Sequence, residues 1–555
     1  MRKNIIAINS CLVLFSITFL IGKSSFAQSE NLKKEVQVVR PYEPSISDAF
    51  KINSQPKIED TIKVNPNFTY GILQRPINTH FTPVPISAAR MVSEPLPNLY
   101  STLIRVGLGT NTMPLFEAYY NSKRNQDFMY GAWVQHHSSM GKVKLENGEK
   151  VDAKNGNTNI SLFGKKMFVD KILQGYVGYT NSLKSFYGYD TNNPALTPNS
   201  DKQKVNNLNA NVEFTTTEKD SAHLNYRIAS QFQHLGDNFD MQENKVSGLL
   251  SMNKYIKQEQ FGGEVSLVHY MKNQDLNTGN NTIFRLSPWI HLFGPQWRLI
   301  AGVGITYDAN TGVNNTYFFP KGHISYDIVS HYFIPYVEVG GFLEENSYSK
   351  ILAENPWVLP GTDVWNTAHK LILTGGIKGK FSAAVSYNVY ASYSIIDSMY
   401  FYTNTSSDIA NPLMNKFSVD FDNIEQTKIL GELTISPSER FSVLLHAEYF
   451  NYKMQNLSHA WHKPDYKAFV SLRYNIKNKL ITTLQAYSLG KRWVNESAPI
   501  KLDGFVDVNL GFEYFYNKRL SVYVNLNNIT SSKYQVWYLY PTYRFNAQLG
   551  ASYKF

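Results

Sequence analysis

The sequence predicts an all-β chain: a large antiparallel transmembrane β-barrel of about 22 strands, preceded by a short, irregular, proline-rich amino-terminal segment. Three observations predict it. The last thirteen residues, from Tyr543 to Phe555, alternate without a break, so Tyr543, Phe545, Ala547, Leu549, Ala551, Tyr553 and Phe555 share one face and Arg544, Asn546, Gln548, Gly550, Ser552 and Lys554 the other. After the first 27 residues no run of about twenty apolar residues occurs, which excludes a conventional transmembrane helix and leaves the closed barrel as the membrane-spanning alternative. The 37 Tyr and 33 Phe are what two interfacial aromatic girdles consume.

Residues 1–27 carry Arg2 and Lys3, an apolar stretch from Ile5 to Ile21, and Ser25-Phe26-Ala27 before Gln28, the pattern of a secretory signal peptide. The single cysteine, Cys11, lies inside that stretch, so the exported chain is expected to contain no disulfide, thiolate nucleophile or cysteine-bound metal. Residues 28–102 hold 9 of the 23 prolines and show no sustained period, so they form an extended periplasmic or lumenal segment and not a domain with its own core.

From 103 to 555 the period is two. Trp297, Leu299, Ala301, Val303, Ile305 and Tyr307 alternate with Arg298, Ile300, Gly302, Gly304, Thr306 and Asp308, and the dyad returns in 467–476 and 520–527. Short turns near 218, 257, 294, 437, 477 and 517 interleave with longer polar stretches near 140–157, 188–203, 346–367, 403–416, 454–464 and 490–501. Barrels place short turns in the periplasm and long loops outside, so the amino-terminal segment and Phe555 both belong to the periplasmic end. At roughly 20 residues per strand and connection this gives about 22 strands.

The carboxyl end resembles the barrel of the TonB-dependent receptor family through Asn525-Leu526-Asn527-Asn528, Lys533-Tyr534, the aromatic stretch Trp537 to Tyr540, and Leu549-Gly550-Ala551-Ser552-Tyr553-Lys554-Phe555. Within that ending, Leu549, Tyr553 and Phe555 are the expected signal to the barrel-assembly machinery. The resemblance implies a transport function, a lumen filled by a plug, and an energy-transducing periplasmic partner. Residues 28–102 are too short and proline-rich for the family's folded plug, so the chain is expected to lack one. Glu35-Val36-Gln37-Val38-Val39 resembles a loose TonB box, an extended segment suited to β-pairing with that partner. What occupies the lumen stays open among the amino-terminal segment, inward loops such as 346–367 with Trp357 and Pro360, and a separate protein.

No catalytic, cofactor or metal site is expected. The sequence has no Gly-x-Ser-x-Gly elbow and no His-Glu-x-x-His. His136 and His137, adjacent on a strand, point to opposite faces. Asp420 and Asp422 open like a calcium loop, but Glu425 stands where glycine is needed and Gly431 where the closing glutamate should be. The formal charge of +10 is scattered, which argues against a nucleic-acid partner. Two functions remain: a transport protein or channel whose lumen is the working surface, and a non-transporting structural or assembly subunit whose ends bind other envelope proteins. In both, outer-membrane lipid surrounds the wall.

Overall fold

The computed structural model describes residues 99–191, 201–218, 223–257, 259–273, 279–310, 312–404, 413–494 and 499–555. The signal peptide, residues 28–98 and the box-like Glu35, Val36, Gln37, Val38 and Val39 lie outside the described residues. A 22-stranded antiparallel sheet runs from Thr102–Gly109 to Asn546–Lys554, each strand pairing with its neighbour in sequence. The last strand then pairs with the first, Arg105 opposite Ser552 and Gly107 opposite Gly550, which closes the cylinder and leaves no edge. The terminus is held to its end, since Phe555 N donates to Thr102 O at 2.9 Å and Phe555 O accepts from Ser101 N at 3.0 Å.

Alternation sorts the two faces as the sequence requires of a barrel in lipid. In the closing strand Leu549 and Phe555 are 58% and 57% exposed on the outer face, whereas Gln548 and Ser552 are 8% and 5% exposed on the inner one. Near the short turns, Phe128, Trp297, Tyr326, Phe381, Tyr474 and Tyr514 form an exposed outer ring; Tyr179, Phe232, Phe318, Phe342 and Tyr449 form a second ring toward the long loops. An apolar belt between two aromatic rings, on a closed barrel with an even strand number, is an outer-membrane architecture.

The closing strand is shorter than its alternation implied. It begins at Asn546, and Tyr543 does not face lipid. Its phenol instead donates to Ala153 O at 2.6 Å and Gly141 O at 3.3 Å in a neighbouring loop. Arg544, expected on the lumen face, lies in the same loop and donates from Nε to Ser531 O at 2.9 Å.

At the closing seam the ring of Tyr523 lies across Gly107 and Gly550 on the inner face. Its hydroxyl donates to Val106 O at 3.2 Å, and the Arg105 guanidinium sits 4.5 Å over the ring. Arg105 in turn pairs with Glu513 at 3.5 Å and Glu117 at 3.8 Å, so one side-chain cluster spans five adjacent strands.

Two strands are far taller than the membrane needs. Val385–Asn404 has 20 residues and Phe417–Ser438 has 22, against the ~10 that span a bilayer. A bulge between Ile396 and Met399, with Ser398 at φ 54°, bends this hairpin. Thr367 Oγ1 donates to Ser398 O at 2.7 Å, and Ser398 N donates to Asn423 Oδ1 at 3.0 Å, so the bend is fixed from both sides.

Candidate functional site

The loop 345–366 leaves the thirteenth strand of the barrel, Ile334–Glu344, and returns in the fourteenth, Thr367–Ser382. Its base is clamped by Asn346, whose side chain donates to Trp365 O and Thr367 Oγ1, both at 2.8 Å. Ser347 then caps a short helix, α1 (Tyr348–Glu354), by accepting from Lys350 N at 3.1 Å. The first-turn amides are taken by a carboxylate from the wall: Glu243 accepts from Tyr348 N at 2.9 Å and Ser349 N at 3.1 Å. Tyr348 OH donates to Asp237 at 2.8 Å. Just before the helix, Glu345 meets Lys245 at 2.9 Å and Arg285 at 2.6 Å.

The far end of α1 reaches other strands. Glu354 accepts from Tyr400 OH at 2.6 Å and Tyr402 OH at 3.1 Å on the tall hairpin, and pairs with Lys463 at 3.4 Å. Beyond it Trp357 Nε1 donates to Ser185 O at 3.0 Å in the fifth strand, Lys171–Ser185. That is eight strands round the wall from the loop's origin.

A second loop, 528–545, comes from between the last two strands, again eight strands away from the thirteenth. The two meet face to face: Trp357 stacks on Tyr540 with centroids 3.9 Å apart, and Tyr187, just after the fifth strand, packs edge-on against Tyr540 at 5.0 Å. Three segments from three widely separated points of the ring therefore touch above the lumen. Tyr540 is 1% exposed and donates to Asn415 O at 2.6 Å; Val358 and Ile351 beside it have no exposed surface. Each such aliphatic side chain withdrawn from water contributes about 1.5–3 kcal/mol to keeping the roof shut.

Polar groups are packed inside the roof as well. Arg492, from the hairpin Arg492–Val494 and Ile500–Leu502, donates to Val536 O at 2.9 Å and Gln535 O at 2.7 Å. His462 donates from Nδ1 to Tyr402 O at 2.6 Å, which fixes its tautomer, and its ring rests on Phe417 and Trp537.

Charges in the roof respond to this packing. Burial pulls Glu345 upward, but the adjacent charges of Lys245 and Arg285 outweigh it and hold the carboxyl at about 2. Burial pushes His462 down to about 3, with Arg492 and Lys463 adding to the effect against the Tyr402 carbonyl. Burial likewise lowers Arg492 to about 10 and raises the Tyr348 and Tyr540 phenols. Burial also lowers Lys463 despite the neighbouring Glu354, so that pair latches by geometry more than by net Coulomb gain.

Of the residues singled out from sequence, Leu549, Tyr553 and Phe555 all stand on the lipid side of the closing strand. His136 bonds to Thr158 Oγ1 at 2.8 Å and Ser138 Oγ at 3.1 Å. Asp422 anchors a loop, accepting from the amides of Gln455, Asn456 and Leu457 at 2.9–3.1 Å. Loop 346–367 does turn inward, and Trp357 is its centre; its partners Glu243, Tyr400 and Lys463 carried no local signal. The helix α1 was not expected from the sequence; Ser347 before the apolar Tyr348, Ile351, Leu352 spacing is the local signal that could have marked it.

No protein-family model and no curated protein matches this sequence. Among solved structures the chain is similar to the ferric-catecholate import receptor Fiu of E. coli K12 in its closed form, with a TM-score of 0.60 and 9% identity over 83% of this chain and 82% of that one. It is similar to the siderophore receptor PiuA of Acinetobacter baumannii, with a TM-score of 0.61 and 11% identity over 82% of each chain. The FrpB iron transporter of Neisseria meningitidis (F5-1 variant) gives a TM-score of 0.63 and 10% identity over 83% of each. At these identities the likeness is one of fold alone, that of a large closed outer-membrane β-barrel.

Proposed function

We propose that the protein is a gated outer-membrane transport barrel, non-enzymatic, in which the interlocked outer loops are the gate and residues 28–102 stand in for the full plug of TonB-dependent receptors. The roof over the lumen supports this reading: an always-open pore has no use for a mouth packed shut around Trp357 and Tyr540. In this reading Glu35 to Val39 pair with an energy-transducing periplasmic partner, and the outward Leu549, Tyr553 and Phe555 are read by the barrel-assembly machinery. The family resemblance and the fold both favour transport over a purely structural subunit.

Planar-bilayer recording tests the gate. The mature chain is expected to be nearly silent, and a Trp357→Ala/Tyr540→Ala variant to open at least about tenfold more often, since two stacked aromatics contribute more than the ~1.4 kcal/mol that tenfold represents. A wild-type barrel that conducts freely would exclude gating by the loops. Silence in both forms would exclude the loops as the gate, and silence that persists when residues 35–102 are also removed would exclude a channel and favour an anchored subunit that binds other envelope proteins. Separately, Val38→Pro is expected to abolish strand pairing and energised uptake in cells. Uptake at the wild-type rate would remove the box assignment.

A further inference from the structure

The lipid side of the wall carries a hollow of about 380 Å³ that lies across four strands, Val385–Asn404, Phe417–Ser438, Phe441–Met454 and Tyr466–Ile476. Toward the lumen Lys428 pairs with Glu448 at 2.6 Å and Glu432 with His446 at 3.2 Å, so alternation turns Gly431 and Ala447 outward. Register continues their row to Val389 on one side and Ala468 on the other. Nothing stands within 4 Å of the place a Cβ on Gly431 would take. The floor is therefore three residues with at most a methyl for a side chain.

The borders of the hollow differ. Toward the long loops Ile429, Tyr449 and Tyr466 are 47%, 50% and 40% exposed and form a bar. Toward the short turns Leu433, Leu445 and Val470 stand less exposed. At that lower edge Phe381, 67% exposed, stacks on Tyr387 with centroids 4.4 Å apart, and Tyr387 OH donates to Tyr332 O at 2.9 Å, which fixes the two rings as a post. The hollow is barred toward the outer leaflet and open toward the periplasmic one.

We propose that this hollow holds one acyl chain of a phospholipid from the periplasmic leaflet, as a fixed lipid set apart from the mobile layer around the rest of the wall. The inference stands whether or not the barrel transports. Its occupant follows from where the hollow lies, since it is continuous with the apolar belt that lipid already covers. Water does not fill an apolar hollow. A polar occupant would find no partner either, because the only polar group among the outward lining side chains is the Tyr387 hydroxyl, which is spent on Tyr332 O. Within hydrocarbon no hydrophobic force favours a protein side chain over a lipid tail, so contact alone decides what binds. The floor atoms gain neighbours only from a group slender enough to lie between the bar and the lower edge, and a methylene chain is that group.

Two measurements on the mature full-length protein test this. In the first, the barrel in mild detergent is given palmitoyl-oleoyl phosphatidylethanolamine and lipid A in equal amounts, stripped by detergent exchange, and weighed by native mass spectrometry. One phosphatidylethanolamine per barrel is expected to remain. Gly431→Leu/Ala447→Leu, which fills the floor, is expected to lower the retained fraction about tenfold through lost contact with the chain. Gly248→Leu is the control, since its would-be Cβ also has nothing within 4 Å and it shares the lipid face of its strand with the exposed Val246 and Met252. It should retain the lipid as the wild type does. In the second, a phospholipid with a photoreactive group on its chain is crosslinked to the wild type in nanodiscs, and the adducts are expected to gather at 387–391, 429–433, 445–449 and 466–470. Heat-modifiable migration confirms folding of each variant; if the double variant does not fold, Ala447→Leu and the crosslink map carry the comparison. Complete loss of lipid from the wild type, equal retention by the filled variant, or adducts spread evenly round the wall overturns the inference. Retention of lipid A in place of the phospholipid overturns the assignment to the periplasmic leaflet.

Discussion

Gly550→Ala is expected to prevent barrel closure. A Cβ at this position would lie 2.3 Å from the Tyr523 ring and 2.3 Å from Val106 O. The ring could swing away only by abandoning its hydrogen bond across the seam and its place beneath Arg105. The carbonyl cannot move without breaking the ladder between the first and last strands. Overpacking against side chains costs about 1–3 kcal/mol, and a backbone clash at the one junction made last should exceed that. Gly375→Ala supplies the control, since nothing lies within 4 Å of its would-be Cβ. Semi-native electrophoresis is the measurement: Gly375→Ala should keep the folded, heat-modifiable form and Gly550→Ala should lose most of it. Equal folding of the two variants would show that the seam tolerates the methyl and that Tyr523 is not its keystone.

Acid is expected to loosen the roof, beginning well above the carboxylate range. His462 is held neutral, with its folded value at about 3 against an ordinary 6.5. A depressed value means that the stabilisation is fully present above pH 6.5 and is lost as pH falls toward 3, because only the opened form accepts the proton. The groups facing it are cationic: Arg492 from the neighbouring hairpin, and Lys463 next in sequence, itself tied to Glu354. Nothing nearby therefore rescues the imidazolium. The loss between pH 6.5 and 4.5 is on the order of 2–3 kcal/mol, and Glu345, also depressed, contributes only below its ordinary value of 4.5. Bilayer openings should rise steeply over that upper window. His462→Asn, which can still donate to Tyr402 O, should flatten the rise. An identical pH profile in the variant would assign the effect elsewhere.

The barrel was legible because its signal is local. Period-two alternation in residues such as 297–308, and the rhythm of short turns and long loops, need only neighbours along the chain. Tyr543 shows where this stops: it continues the alternation perfectly, yet its phenol finds the carbonyls of Gly141 and Ala153, about 400 residues away in sequence, and leaves the strand. The roof was half legible. Proline and tryptophan in loop 346–367 marked an inward excursion, but Glu243 is 105 residues from the amide it caps, and no spacing rule links Tyr540 to Trp357. The bulge at Ser398 was invisible because it depends on Asn423 and Thr367 arriving from either side.

The contact between Tyr523 and Val106 spans 417 residues of chain. Every other rung of the wall can zip from a hairpin with its two halves close in sequence, but this one must wait for both extremities to find each other. Folding should therefore pass through an almost complete, unclosed ribbon whose two raw margins invite self-association. Such a ribbon needs a chaperoning surface at its margins until the ends meet, and shortening the polypeptide by even its final strand would leave it permanently in that hazardous form.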